Sequence, residues 1–220
     1  MDKVNKIQTS KTGKKQKGQL GHMAPYYDFI TGLMSFGREK TFRQVTIKLS
    51  RLMPGDKVLE VGCGTGTLSL AAKVQVGASG EVVGIDIAPE MVAAASRKAA
   101  RKGIDISFQE GNIESIPFPD NRFDVVMCSF MIFHMPDDVR GRGFKEIYRV
   151  LKPGGHLFIL DFALPDKTWK RHFVQMHFGN MLQHDVRGLA PVLKDNSFTE
   201  IEMGKTNFLG TWFLRGKVEK

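Results

Sequence analysis

Val58-Leu59-Glu60-Val61-Gly62-Cys63-Gly64-Thr65-Gly66 reads as a buried strand that runs into a glycine-rich turn, with a helix behind it. The apolar residues suit a central parallel strand. Gly62, Gly64 and Gly66 let the backbone turn sharply and approach a ligand with no Cβ in the way. The helix that follows presents free N–H groups and a positive dipole end. Glu60 puts an acid on the strand just before the turn.

Outward from this turn, strands and helices alternate. Lys57–Val61 is a strand, Thr67–Val76 a helix that ends near Gly77 and Gly80, and Glu81–Asp86 a strand of β-formers. Pro89 opens a helix that runs to about Lys102 and stops at Gly103. Ile104–Gln109 and Phe123–Ser129 are the third and fourth strands. A helix from about Asp138 to Leu151 ends at Lys152-Pro153-Gly154-Gly155, before a fifth strand, His156–Asp161. Glu200–Met203 and Asn207–Leu214 close the chain as an antiparallel pair. Upstream, Phe42, Val45, Ile47, Leu49 and Leu52 fit a helix over Arg38–Leu52, and Pro54-Gly55-Asp56 turns into the first strand. Trp169–Leu182 is helix-like, with Trp169, Phe173, Met176 and Met181 on one face. Val186 to about Lys194 is a second helical stretch, interrupted by Pro191. The fold class is α/β: a doubly wound, mostly parallel seven-stranded sheet of Rossmann-like type with an antiparallel C-terminal strand.

A chain of 220 residues suits one domain with a real core. Cys63 and Cys128 both fall in buried-looking segments, which points to a reducing compartment, a cytoplasmic location and no disulfide framework. No apolar run reaches the length of a membrane span, and no secretory apolar stretch stands near residue 1. Residues 1–20, with six lysines and one acid, carry +5 of the net charge of +9. They lack a hydrophobic period and read as a basic, disordered tail. Such a tail either attaches peripherally to anionic lipid or nucleic acid or only solubilises the chain.

The glycine spacing selects the ligand. Gly62, Gly64 and Gly66 give G-x-G-x-G, with Thr67 at the last position of the dinucleotide fingerprint, and no Gly-Lys-Ser/Thr phosphate loop follows. A ligand with an amino-acid end and an adenosine end fits better. Asp86 closes the second strand, where a carboxylate accepts both ribose hydroxyls or caps the helix at Ala88-Pro89. Glu60 is either a structural acid bonded to backbone in the turn or a partner for the ligand's ammonium group.

Leu59–Gly66, Val83-Gly84-Ile85-Asp86, Phe123-Asp124-Val125-Val126 and Leu151–Gly155 together resemble the motifs of the class I S-adenosylmethionine-dependent methyltransferases, in order and spacing. The resemblance implies a transferase that uses S-adenosyl-L-methionine and releases S-adenosyl-L-homocysteine. It implies that Gly62, Gly64 and Gly66 pack on the methionine part, Asp86 holds the ribose, and Met91 lies near the ribose or adenine. Asn112 and Ile113 would edge the adenine, and Ser129 would lie near the transferable methyl. A narrower resemblance covers Ala24-x-x-Tyr27-Asp28, Ser35-x-Gly37 and Phe42-Arg43, which are similar to the ubiquinone/menaquinone biosynthesis C-methyltransferases of the methyltransferase type 11 group. It implies that Tyr27 reaches the cofactor carboxylate within a lid. The domain organisation is then a tail over 1–20 and a single methyltransferase domain over 21–220, with lid helices over 21–52 and a substrate-side segment over 162–199. The chain departs from the quinone enzymes at Thr31 (Asn there), at Phe42 (Trp there) and in its shorter segment after the fifth strand.

Methyl transfer from a sulfonium is an in-line displacement in which positioning supplies much of the catalysis. A phenol or hydroxylated ring carbon needs a base, and His134 after the fourth strand is the candidate, its alternative being a helix cap or pocket wall. His172, His177 and His184 are too dispersed for a metal site, and no metal-binding motif is present. Ser129-Phe130-Met131-Ile132 stands where base-amino methyltransferases carry Asp/Asn-Pro-Pro-Tyr/Phe, which disfavours a nucleic-acid substrate. The expected acceptor is a small, apolar or lipid-like molecule, a quinol methylated at carbon or an amine or phospholipid methylated at nitrogen. A non-catalytic cofactor-binding protein or an RNA-modifying enzyme recruited by the tail are the alternatives.

Overall fold

The computed structural model describes residues 39–168, 172, 176, 185–206, 208 and 210–220. Tyr27, the basic tail and most of the expected lid and substrate-side helices therefore lie outside the described residues. The elements are α1 (Glu39–Ser50), β1 (Lys57–Val61), α2 (Thr67–Val76), β2 (Glu81–Asp86), α3 (Pro89–Lys102), β3 (Ser107–Glu110), β4 (Phe123–Ser129), α4 (Asp137–Val150), β5 (Leu151–Phe162), α5 (Leu189–Asp195), β6 (Phe198–Lys205) and β7 (Thr211–Val218). Short 3-10 turns at Ile132–His134 and Val186–Gly188 precede α4 and α5.

The seven strands are ordered β3-β2-β1-β4-β5-β7-β6. β1 pairs in parallel with both β2 and β4, so the winding direction reverses at β1/β4. In open α/β sheets that reversal opens a crevice at the strands' carboxyl ends. Only β7 runs against its neighbours, pairing antiparallel with β5 and β6. Alternate residues of the central strands fill two cores. Leu59, Val61, Val126, Cys128 and Ile159 join Phe144 and Ile147 of α4 on one face, while Val58, Val125, Met127 and Phe158 join Ala72 and Val76 of α2 on the other. Phe144 is fully buried, a placement that contributes about 2–3 kcal/mol.

Three expectations need correction. The last strand is Thr211–Val218 rather than Asn207–Leu214, because the Thr211 N–H turns back to the Phe208 carbonyl at 2.7 Å where the strand was expected to be under way. The third strand is Ser107–Glu110 rather than Ile104–Gln109. Gly103 at φ 61 caps α3, and the N–H of Ile104 returns to the Ala99 carbonyl, so the chain is still closing the helix where a strand was expected. The Lys152-Pro153-Gly154-Gly155 stretch is the start of β5 itself, with a register shift between Phe123↔Leu151 and Val125↔His156. Lys152 Nζ bonds Asp124 at 2.7 Å, and the other Asp124 oxygen accepts the N–H of Lys57 at 2.8 Å. Two of the family-like motifs thus hold strand ends together, far from the carboxyl edge.

Candidate active site

The β1–α2 turn has three left-handed glycines, Gly62 (φ 70), Gly64 (φ 52) and Gly66 (φ 73). The N–H groups of Gly62 and Cys63 both donate to the Ile85 carbonyl, at 2.8 and 3.0 Å, which fastens the turn to β2. A Cβ on Gly62 would stand 2.7 Å from Met131 Sδ, and one on Gly66 would stand 2.8 Å from the Phe108 ring and 2.9 Å from Ala95 Cβ. No side chain caps the start of α2. The turn's own N–H groups at Gly62, Cys63, Gly64 and Gly66 are spent on protein acceptors, so the fit to a cofactor of this kind rests on the positive dipole end of α2, whose start carries no side-chain cap.

Asp86 Oδ2 accepts the Gly64 N–H at 2.8 Å, and Oδ1 accepts the Ala88 N–H at 2.9 Å. Both readings of Asp86 are therefore physically compatible: it braces the turn and the start of α3, and the carboxylate keeps acceptor capacity for a ribose hydroxyl. Burial pushes its carboxyl up, and the Ala88, Gly64 and Ile87 N–H groups oppose that. Glu60 is buried and accepts from both the hydroxyl and the backbone N–H of Ser69, in the first turn of α2 just beyond the glycine turn. Burial is the main cause that raises it to about 8, against the Ser69 bonds and with a small push from Asp86. Burial thus favours the neutral form of Glu60 in the ligand-free turn. Lys98 of α3 donates to Thr65 Oγ1 at 2.9 Å and Thr67 Oγ1 at 2.7 Å, and thereby sets a cation beside the turn.

Met91 is buried beside Ala88. Asn112 Oδ1 accepts the Glu114 N–H at 3.0 Å. The Ile113 side chain belongs to the core against Gly143, so only its backbone can face an adenine. Ser129 ends β4 opposite Leu160. The next residue, Phe130, is left-handed (φ 53), a non-glycine in a region that costs about 1–3 kcal/mol. Its N–H is tied to the Leu160 carbonyl at 2.9 Å. The turn that follows hangs on Asp161, whose Oδ2 accepts the N–H groups of Ile132 (3.1 Å) and Phe133 (3.0 Å), and whose Oδ1 accepts that of Phe162 (2.8 Å). Burial raises the Asp161 carboxyl to about 7 against those three bonds. His134 closes this turn in the backbone; its side chain lies outside the described residues.

At the same edge the rings form a connected wall. Phe130 stacks on Phe42 (5.7 Å) and meets Phe162 (4.9 Å); Phe133 meets Phe162 edge-on (5.5 Å), and Phe208 meets Phe42 edge-on (5.4 Å). Of the stripe expected on the Trp169–Leu182 helix, only Met176 is described, and at 66% exposed it is not core. Sequence reasoning missed Lys98, Asp161 and the ring wall. A polar Asp161 inside the run Leu157–Phe162 was a signal for the second; the others have no local signature.

The model of the ubiE/COQ5 methyltransferase family matches residues 8–198. The ubiquinone/menaquinone biosynthesis C-methyltransferase UbiE of Geotalea daltonii is 34% identical over 172 residues, covering 77% of this chain and 72% of that protein. The demethylmenaquinone methyltransferase of Thermus thermophilus is 39% identical over 148 residues, covering 67% of this chain and 66% of that one. Among solved structures, a SAM-dependent methyltransferase from Aquifex aeolicus superposes with a TM-score of 0.66 at 24% identity, over 90% of this chain and 98% of its own. That likeness concerns the fold alone.

Proposed function

The chain belongs to the ubiE/COQ5 methyltransferase family, and from that premise we propose that it methylates a ring carbon of an apolar, quinol-type acceptor at the carboxyl ends of β4 and β5. It is an S-adenosylmethionine-dependent methyltransferase. The observation that carries the acceptor reading is the wall of Phe42, Phe130, Phe133, Phe162 and Phe208. Aromatic faces favour offset or edge contact with another ring. Relatives named for quinone biosynthesis support the same reading.

The bound cofactor supplies an electrophilic methyl on a sulfonium. The glycine turn seats its amino-acid end, Asp86 accepts the ribose hydroxyls, and the backbone at Asn112-Ile113 borders the base, with Met91 behind. Tyr27 reaches the carboxylate from the lid, and Ser129 borders the methyl. The Phe wall orients the acceptor ring, and Asp161 holds the turn that carries His134. His134 takes the ring hydroxyl's proton, which raises electron density at the neighbouring carbon. The basic segment 1–20 attaches the protein from the cytoplasmic side to an anionic membrane surface, where such acceptors dissolve.

The test is transfer of labelled methyl to a short-chain reduced demethylmenaquinone, run beside phosphatidylethanolamine vesicles and small amines. Incorporation at ring carbon supports the reading. Incorporation only into an amine, or into none of the three, overturns it.

A further inference from the structure

Among the described residues, Arg140 alone has buried side-chain donors with no hydrogen-bond partner: Nε and Nη1. It is 7% exposed. Its Nη2 is paired with the exposed carboxylate of Asp137, which balances the charge and leaves the other two donors unused. Buried donors of this kind are costly to leave unmade.

The two flanks of α4 locate them. One flank faces the loop after β3: Arg142 bonds Glu114, Gly143 touches Ile113, and Glu146 accepts the Ile116 N–H at 2.9 Å. The other flank faces β6, where the Tyr148 ring meets Phe198 edge-on at 5.6 Å. Arg140, Phe144 and Tyr148 are spaced i, i+4, i+8 and share the ridge on that second flank. Arg140 is its member nearest the helix start, just beyond the turn that follows β4. Side chains on a helix lean toward its N-terminus. The guanidinium therefore heads for the carboxyl edge of the sheet, on the side away from the Asn112-Ile113 loop.

We propose that Arg140 donates from Nε and Nη1 to a ring oxygen of the methyl acceptor and so selects oxygenated rings. The proposal rests on the quinol-type reading above. The Asp137 partner matters to the ligand class. A guanidinium already neutralised suits a carbonyl, hydroxyl or phenolate oxygen better than a phosphate. Two donors on one rigid plane also fix the angle at which the ring enters.

The experiment uses the full chain loaded with S-adenosylhomocysteine, titrated with 1,4-naphthoquinone and with naphthalene, in wild type, R140M and R140K. The expected result is at least a tenfold loss of naphthoquinone affinity in R140M, partial recovery in R140K, and unchanged naphthalene and S-adenosylhomocysteine affinities. The melting temperature of ligand-free R140M should hold or rise, because an apolar side chain removes two unmet donors. Equal naphthoquinone affinity in wild type and R140M overturns the proposal. So does a parallel loss of S-adenosylhomocysteine binding or a lowered melting temperature, either of which marks a structural role. If the probe discriminates but no quinol is methylated, the arginine site stands and the C-methylation reading falls. If quinols are methylated but the probe binds both proteins alike, only the arginine assignment falls.

Discussion

Gly62→Ala tests whether the turn is held against the segment after β4. The backbone at Gly62 has φ 70, which costs an L residue about 1–2 kcal/mol. The new Cβ would stand 2.7 Å from Met131 Sδ, 3.2 Å from its Cβ and 3.3 Å from its Cγ. Relieving that overlap costs about 1–3 kcal/mol, toward the lower end because a methionine bends. The expected loss is about 2–4 kcal/mol in all. Urea denaturation reads it as a shift in midpoint at constant slope. Met131→Ala removes Sδ and Cγ but keeps Cβ, so in that background the steric share shrinks while the backbone share remains. The coupling between the two substitutions should be about 0.5–2 kcal/mol. A Gly62→Ala variant within about 0.5 kcal/mol of wild type, or purely additive effects, would refute the reasoning. Because Met131 is shared by the turn and the post-β4 segment, affinity for S-adenosylhomocysteine should fall with stability.

Four further outcomes follow from the site. Glu60 keeps its proton to about pH 8 when folded and loses it near 4.5 when unfolded, so its effect on stability declines as pH rises through that window and is flat above it. Glu60→Gln should flatten the decline and gain a few kcal/mol at pH 8; an unchanged melting profile across pH 5–8 would count against it. Asp86→Ala should weaken cofactor binding by about tenfold or more in calorimetry, whereas wild-type affinity would remove the ribose assignment. His134→Ala should lower kcat by about 10²–10⁴ with cofactor affinity intact, and full turnover would return the residue to a helix-start role. Removal of residues 1–20 should keep activity on a soluble acceptor and lower sedimentation with anionic vesicles; unaltered sedimentation would discard the membrane contact.

Much of this protein is legible in contiguous residues. The bounds of β1, α2, β2, α3 and β4 agree with the sequence reading, because the first four have a glycine or proline at an edge and β4 is marked by its apolar run. The glycine turn is also local, since three left-handed positions within five residues select glycine whatever surrounds them. The third strand was misplaced because Ile104 and Ile106 look like strand residues while the helix cap is still closing. The tertiary structure alone decided what surrounds the turn. Lys98 reaches Thr65 and Thr67, Glu60 turns to Ser69, and Asp161 gathers the turn after β4. The Phe wall collects residues from 42 to 208, and Arg140 is left with two donors to use. Hydrophobic period says which face of a strand is buried, but not which strand lies beside it. Here the order β1-β4-β5 brings those distant side chains to one edge, and with them the chemistry of the site.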